Sequence, residues 1–287
     1  MRRLEDAIAQ RVLLSDGGIR RQLRRLPFDA QRDLWGFKDR LELLCLTRPN
    51  WVRSFHEAYL RAGADIICIP SLAACPLSCS TAEAAKEFFY LNYIAAQLAC
   101  EAVDNVPGRG RRRFVLGLIR DNGRPTAARE MKKTITSQVE ALISGGVDGV
   151  ALKVSPNSGR ASIFLSAACE ARRRLKARVP IYFQSSPGMP SYSSSLVEQT
   201  DGVIVFRFGR YPPNDWLSQA VELEGVTMIG GGETPEVTAE IDRHLRLLAD
   251  DGLRPLHATA RASGMQLEES CIPSSALHLD PLASELH

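Results

Sequence analysis

The strongest constraint on the fold is an alternation that runs along most of the chain. Short apolar runs rich in β-branched and aromatic residues recur, each separated from the next by a longer stretch with helical periodicity. Eight such runs stand out: Arg11–Ser15, Ala64–Ile69, Phe114–Ile119, Gly149–Val154, Val179–Phe183, Gly202–Phe208, Val226–Ile229 and Leu253–Ala258. Most are almost continuously hydrophobic, as strands covered on both faces must be. Strand–helix alternation implies a parallel sheet, and eight units favour closure into a barrel over an open sheet. The expected fold is therefore α/β, a single-domain (β/α)8 TIM barrel. With 287 residues the chain has the usual length for one such domain, about 250 residues. The barrel is expected over residues 1–262. Residues 263–287, with Pro273, Pro281 and several serines, lose their periodicity and read as an irregular tail.

Helix boundaries can be read from the capping residues. Thr47-Arg-Pro-Asn places an N-cap candidate and a proline before a helix over Trp51–Arg61, which Gly63 ends. Thr134–Ser144 stops at Gly145-Gly146. Thr234-Pro-Glu opens a helix to Asp250, with Thr234 as N-cap and Pro235 in the first turn.

Charge excludes some partners. Lys and Arg number 36 against 33 acids, a net charge of +3, which does not suit a general nucleic-acid or membrane binder. The basic run Arg109–Arg113 reads as a solvated loop. No apolar run approaches the roughly 20 residues of a bilayer span, and the opening Met-Arg-Arg-Leu-Glu-Asp lacks the apolar core of a secretion signal. Seven cysteines, an odd number, then point to reduced thiols in a cytoplasmic protein.

In barrels of this class chemistry sits where the strands end at their C-terminal side. There the sequence places Asp16, Ser71, Arg120, Asp121, Lys153, Ser155, Gln184, Arg207, Arg210, Glu233 and His257. Asp16, Lys153, Glu233 and His257 are the candidate catalytic groups. Asp16, Glu233 and His257 can take or give a proton, and Lys153 interrupts a run that should be buried. Arg120, Ser155, Gln184 and Arg207 are the candidate substrate-binding groups. Guanidiniums grip carboxylate or phosphate through two parallel N–H groups, and a lysine acts as a point charge. The reading is an anion-binding pocket with an acid or base beside it. Plainer roles stay open: solvation or ion pairing for Arg120 and Arg207, a pair with Asp16 or Glu233 for Lys153, and a structural hydrogen bond for His257. The run Tyr211–Trp216 reads as a lid or a helix entry, and a Schiff-base role for a desolvated Lys153 is chemically available.

Several segments resemble the homocysteine S-methyltransferase family, whose barrel also opens cobalamin-dependent methionine synthase. Leu13-Leu-Ser-Asp-Gly-Gly is similar to its first strand and the Asp-Gly that follows. Leu41-Glu-Leu-Leu-Cys-Leu-Thr-Arg-Pro-Asn-Trp-Val and His56-Glu-Ala-Tyr-Leu-Arg-Ala-Gly-Ala-Asp-Ile-Ile carry the likeness furthest. Gln138-Val-Glu-Ala-Leu-Ile-Ser-Gly-Gly-Val-Asp-Gly-Val and Glu233-Thr-Pro-Glu, with its helix and Asp251-Gly, keep the same order. The resemblance implies a barrel that transfers a methyl group to a small molecule. It leaves a folate or corrinoid as the methyl carrier, and a corrinoid protein or a partner subunit as candidate partners.

It also implies a zinc-bound thiolate, held by one cysteine after the sixth strand and an adjacent pair after the eighth. Here the sixth strand ends Val205-Phe-Arg-Phe-Gly-Arg, and the pair falls on Thr259 and Ala260. The expectation is thus a zinc-independent methyltransferase-type enzyme with no metal. Cys75 and Cys79 are read as packing residues of a loop or helix after the second strand. A glutamate that in the family holds the substrate's amino group aligns with Lys153, which would repel an ammonium and attract an anion. Two alternatives stand beside this reading: a non-catalytic ligand- or partner-binding barrel, and a lyase or aldolase using Lys153.

Overall fold

The computed structural model describes residues 3–17, 19–37, 40–70, 82–108, 111–121, 123, 125–186, 189–207, 217 and 226–250. Helix α1 (Leu4–Gln10) leads into β1 (Leu13–Leu14). Short helices α2 (Ile19–Leu23), α3 (Ala30–Asp33) and α4 (Leu44–Thr47) precede α5 (Pro49–Arg61). The alternation is then regular: β2 (Ile66–Pro70), α6 (Ala82–Asn105), β3 (Phe114–Arg120), α7 (Ala128–Ser144), β4 (Gly149–Lys153), α8 (Arg160–Arg174), β5 (Ile181–Ser185), α9 (Ser194–Val197), β6 (Val203–Arg207), β7 (Val226–Ile229) and α10 (Pro235–Asp250).

The seven described strands are all parallel, in the order β1-β7-β6-β5-β4-β3-β2. A bridge from Ser15 to Ile66 joins β1 to β2 as well. Both edges of β1 are thus paired, through Ser15 N to Ile229 O (2.8 Å) and Asp16 N to Ile66 O (2.8 Å). This is the (β/α)8-type barrel that the alternation implies. The run expected as an eighth strand, Leu253–Ala258, lies outside the described residues, as does the tail.

Two-residue periodicity divides each strand between two cores. Leu13, Ile66, Phe114, Leu116, Ala151, Tyr182, Ile204, Phe206 and Met228 fill the barrel, and α1 closes its lower end with Leu4, Ala7 and Ile8. A Cβ on Gly149 would stand 2.7 Å from Leu4 Cδ2, so β4 has glycine where that plug seats. Alternate residues such as Ile67, Val115, Val150, Leu152, Ile181 and Phe183 face the helices.

A repeated clamp sets the strand register at the N-terminal end. Asp65 accepts from Leu14 N and takes both Nη groups of Arg11 (2.6 and 2.8 Å). Asp148 accepts from Val115 N and Arg112 Nη2, and Asp201 from Ile181 N and Arg172 Nη1. Each aspartate just ahead of an even-numbered strand therefore caps the preceding odd strand and holds an arginine.

Two helix starts differ in detail from the sequence reading. Thr47 does not cap α5. It ends α4, its hydroxyl 2.8 Å from Asp33 O, while Pro49 begins α5 and Arg48 is the cap without a side-chain bond. Helix α7 begins at Ala128, six residues before Thr134. No helix among the described residues is long and apolar enough to cross a membrane.

Candidate active site

On the β3–β5 side of the mouth, the inward period that carries Leu116 and Ala151 continues to Arg120 and Lys153. The register pairs these two directly. Leu152 pairs with Phe183, so Gln184 stands next to Lys153 on the following strand. Arg120, Lys153 and Gln184 thus form one row across three strand ends. Arg120 is exposed, Lys153 half-buried and Gln184 buried. Burial, and then the charge of Arg120, hold the Lys153 ammonium below the usual lysine range. Tyr192 fixes the row from behind. Its hydroxyl lies 2.6 Å from Val154 O and 3.1 Å from Gln184 O, and its ring stacks on Phe183 at 4.1 Å. Asp121 follows Arg120, donates its N–H to Lys153 O (2.9 Å), and accepts from Arg160 Nη1 (2.6 Å) and Gly123 N.

The β1–β7 side carries the second group. Asp16 is 6% exposed; Oδ1 accepts from Cys68 N at 3.0 Å, and Oδ2 has no hydrogen-bond partner among the described residues. Burial pushes its carboxyl up to about 8, with the Cys68 N–H opposing. The chain here is compressed: a Cβ on Gly17 would fall 1.8 Å from Gly232 O, and one on Gly231 2.6 Å from Ser15 O. Gly17 and Gly231 therefore serve the close approach of the loop after β7 to the end of β1, whereas a Cβ on Gly232 would fall 2.1 Å from Val237 Cγ1 at the start of α10. Tyr59 donates to Glu233 O (3.0 Å), and Gln22 donates to the same oxygen. The Cys68 thiol beside Asp16 is pushed well up by burial and by that carboxylate.

The structure thus brings Arg120, Lys153 and Gln184 together and sets Asp16 at a separate junction. Ser155 is exposed, and its carbonyl serves the turn into α8, accepting Ser158 N and Oγ. Glu233 is exposed and contributes its backbone carbonyl to the junction. Arg207 ends β6 opposite Ile229, but its side chain lies outside the described set. His257, Ser71, Cys75, Cys79, Arg210 and Tyr211–Trp216 also lie outside it.

Tyr59, Gln22, Tyr192 and Arg160 carry no sequence signal, because each reads as an ordinary helix or loop residue. The described thiols, Cys45, Cys68, Cys100 and Cys169, lie on four different elements. Among the described residues no three His, Cys, Asp or Glu side chains are placed to hold a metal ion.

Comparison with known proteins accords with this architecture. The sequence model of the homocysteine S-methyltransferase family matches residues 13–203. Methionine synthase of Mycobacterium leprae (strain TN) is 26% identical over 267 residues, 90% of this chain and 20% of that protein. Methionine synthase of Mycobacterium tuberculosis (strain ATCC 25618 / H37Rv) is 25% identical over 267 residues, 90% of this chain and 21% of that protein. The chain spans about a fifth of the length of these curated relatives. The homocysteine methyltransferase MmuM of Escherichia coli shares the fold in its apo form (TM-score 0.56, 18% identity, 82% of this chain and 96% of that chain). Its metallated form gives a TM-score of 0.58 at the same identity and coverage. With the family pattern running through two thirds of its length, this chain belongs to the homocysteine S-methyltransferase family.

Proposed function

We propose that the chain is a methyltransferase-type enzyme that works without zinc and grips an anionic small molecule at the barrel mouth. The observation that carries this reading is the row Arg120–Lys153–Gln184. Two cations side by side on parallel strands repel each other, and a carboxylate or phosphate seated against them relieves that repulsion. Lys153 replaces the acidic group that would hold an ammonium, so substrate recognition is inverted in sign. Anion binding raises the proton affinity of Lys153, which makes binding take up protons at alkaline pH.

Zinc fits this chain poorly. No cysteine occurs between Cys169 and Cys271, the span that supplies the family's three ligands. The described thiols lie on separate elements, and burial pushes those of Cys45 and Cys100 up to about 12. A buried thiol held neutral is neither a nucleophile nor a ligand. The proposal therefore takes the methyl acceptor to be an anion held by Arg120 and Lys153, with Gln184 orienting it and Arg207 and Ser155 at the rim. Asp16, protonated at neutral pH, is the candidate acid; Glu233 and His257 are further proton-transfer candidates. The methyl carrier would be a folate, or a corrinoid brought by a partner protein, the chemistry to which the methionine synthase likeness points.

Elemental analysis of the purified protein, followed by a thermal-shift screen of folates, corrinoids, S-methyl donors and small carboxylates, tests the reading. It requires sub-stoichiometric zinc and a stabilising anionic ligand whose binding Lys153→Glu weakens by about 1–3 kcal/mol. Stoichiometric zinc, or an affinity unchanged in that variant, sinks it. One observation favours a second reading: a half-buried lysine held below its usual range beside an arginine is the environment that activates Schiff-base lysines. Borohydride trapping of Lys153 with carbonyl substrates would support a lyase or aldolase, and failure to trap would remove it.

A further inference from the structure

The alternation that turns Tyr182 into the barrel turns Gln184 to the same side, at the mouth. The residue is only 5% exposed. Tyr192 holds its backbone carbonyl, but its carboxamide has no hydrogen-bond partner among the described residues. The neighbours on one side explain why. Gln184 pairs with Ile204 of β6, and Phe206 follows Ile204 on the same face; both belong to the barrel core and offer no hydrogen bond. On its other side stands Lys153, one strand away, or about 5 Å at the backbone.

A primary carboxamide has two N–H donors and an oxygen with two lone pairs. Burying these groups unfilled opposes folding, so a buried carboxamide left open calls for a partner outside the protein. What that partner carries follows from the row. A ligand whose acid group lies at Arg120 and Lys153 presents to Gln184 whatever its next carbon or two bears. A methylene there leaves the carboxamide unfilled. An ammonium group meets the repulsion of Lys153. A hydroxyl accepts from Nε2 or donates to Oε1, and so fits the carboxamide whichever way its two ends are turned.

We propose that the anion taken at the mouth is a small hydroxycarboxylate, with its acid group at Arg120 and Lys153 and its hydroxyl, one or two carbons away, at Gln184. This rests on the anion reading of the row and adds its specificity: the cations take the charge, and Gln184 selects the neighbouring group.

Calorimetric titration of the full chain with propionate, lactate and alanine tests it. These acids share one carbon frame and differ only at the second carbon, which bears hydrogen, hydroxyl or ammonium. The wild type should bind lactate about 10- to 100-fold more tightly than propionate, and alanine more weakly than lactate. Gln184→Leu should lose the preference for lactate while still binding propionate. Lys153→Glu should weaken lactate and propionate alike and leave their ratio unchanged. Without ligand, Gln184→Leu should raise the Tm by about 2–6 °C, since hydrocarbon replaces an unfilled polar group. A fall in Tm would show that the carboxamide is engaged within the protein, and would overturn the proposal whatever binds. Lactate no tighter than propionate, or a lactate preference that survives Gln184→Leu, overturns the hydroxyl assignment and leaves the anion grip standing. Alanine as tight as lactate, or affinities unmoved in Lys153→Glu, overturns the anion reading itself. Binding of none of the three overturns both.

Discussion

Replacing Asp16 by asparagine is expected to stabilise the protein, and to do so in a pH-dependent way. The carboxyl is buried, Oδ2 has no hydrogen-bond partner among the described residues, and its proton is held up to about 8. In the unfolded chain the same group titrates near 3.8, the ordinary carboxylate value. Between these values the native state keeps a proton that the unfolded state has released. Stability from this group is therefore complete below about pH 4 and is lost as pH rises toward 8. Each unit is worth about 1.36 kcal/mol, so at pH 7 the aspartate costs up to about 4 kcal/mol, and at pH 4 well under 1 kcal/mol. Asparagine matches the shape, keeps an oxygen for the Cys68 N–H, and does not titrate. Allowing for relaxation around the charge, Asp16→Asn should gain about 2–4 kcal/mol at pH 7.5 and almost nothing at pH 4. Urea unfolding of both proteins at half-unit steps from pH 4 to 9 measures the difference directly. A difference that stays flat with pH, or a loss of stability at pH 7.5, would refute the assignment of a neutral buried acid. The same variant tests the proposed catalytic role, since a more stable protein with lower turnover is the pattern of a strained functional group.

Three further substitutions follow from the geometry. His56 is buried with Nδ1 unpartnered among the described residues, and burial lowers it to about 4 from 6.5. The native state there binds fewer protons than the unfolded one, so up to about 3 kcal/mol is lost as pH falls from 6.5 to 4; His56→Leu should flatten that acid limb in pH-dependent melts. Arg11→Ala leaves the Asp65 carboxylate, 3% exposed, without its two-point partner. About 2–3 kcal/mol should be lost by urea unfolding, discounted for the partial exposure of Arg11. Gly17→Ala drives a methyl group into Gly232 O and should cost about 3 kcal/mol or more, or yield little soluble protein; a wild-type Tm would show that β1 and the loop after β7 are not in contact.

The strands β2 to β7 were legible because burial on both faces leaves a nearly unbroken apolar run, a signal that does not depend on partners. β1 is shorter than its run suggested. Arg11 leaves the strand pattern to reach Asp65, a residue 54 positions away, and no local pattern records such a contact. The clamps at Asp148 and Asp201 were equally invisible, since an aspartate ahead of a strand reads as turn chemistry. At the mouth, Lys153 was legible for the opposite reason: one charge inside an apolar run is conspicuous wherever its partners are. Its pairing with Arg120 could be guessed only after register was known, because a slip of one residue would have turned either side chain outward. Tyr59 and Tyr192 were not legible at all. Each acts through a hydroxyl aimed at a carbonyl on another element, and aromatic residues on helices and loops are far more often simple packing.

The same residue types serve two purposes at the two ends of the barrel, and the difference lies in what each cation faces. At the N-terminal end, Arg11, Arg112 and Arg172 each meet an aspartate that is itself fixed by a backbone N–H, so opposite charges lock neighbouring strands in register. At the mouth, Lys153 meets Arg120 across a parallel pair, and the carboxylate of Asp121 accepts from Arg160. Adjacent like charges on a sheet oppose folding by a few tenths of a kcal/mol or more. A barrel selected for stability alone would gain from an acid at position 153. Lys153→Glu should therefore stabilise the ligand-free protein modestly through its pairing with Arg120 while weakening anion binding by about 1–3 kcal/mol. That opposition between stability and binding separates a functional cation from a structural one.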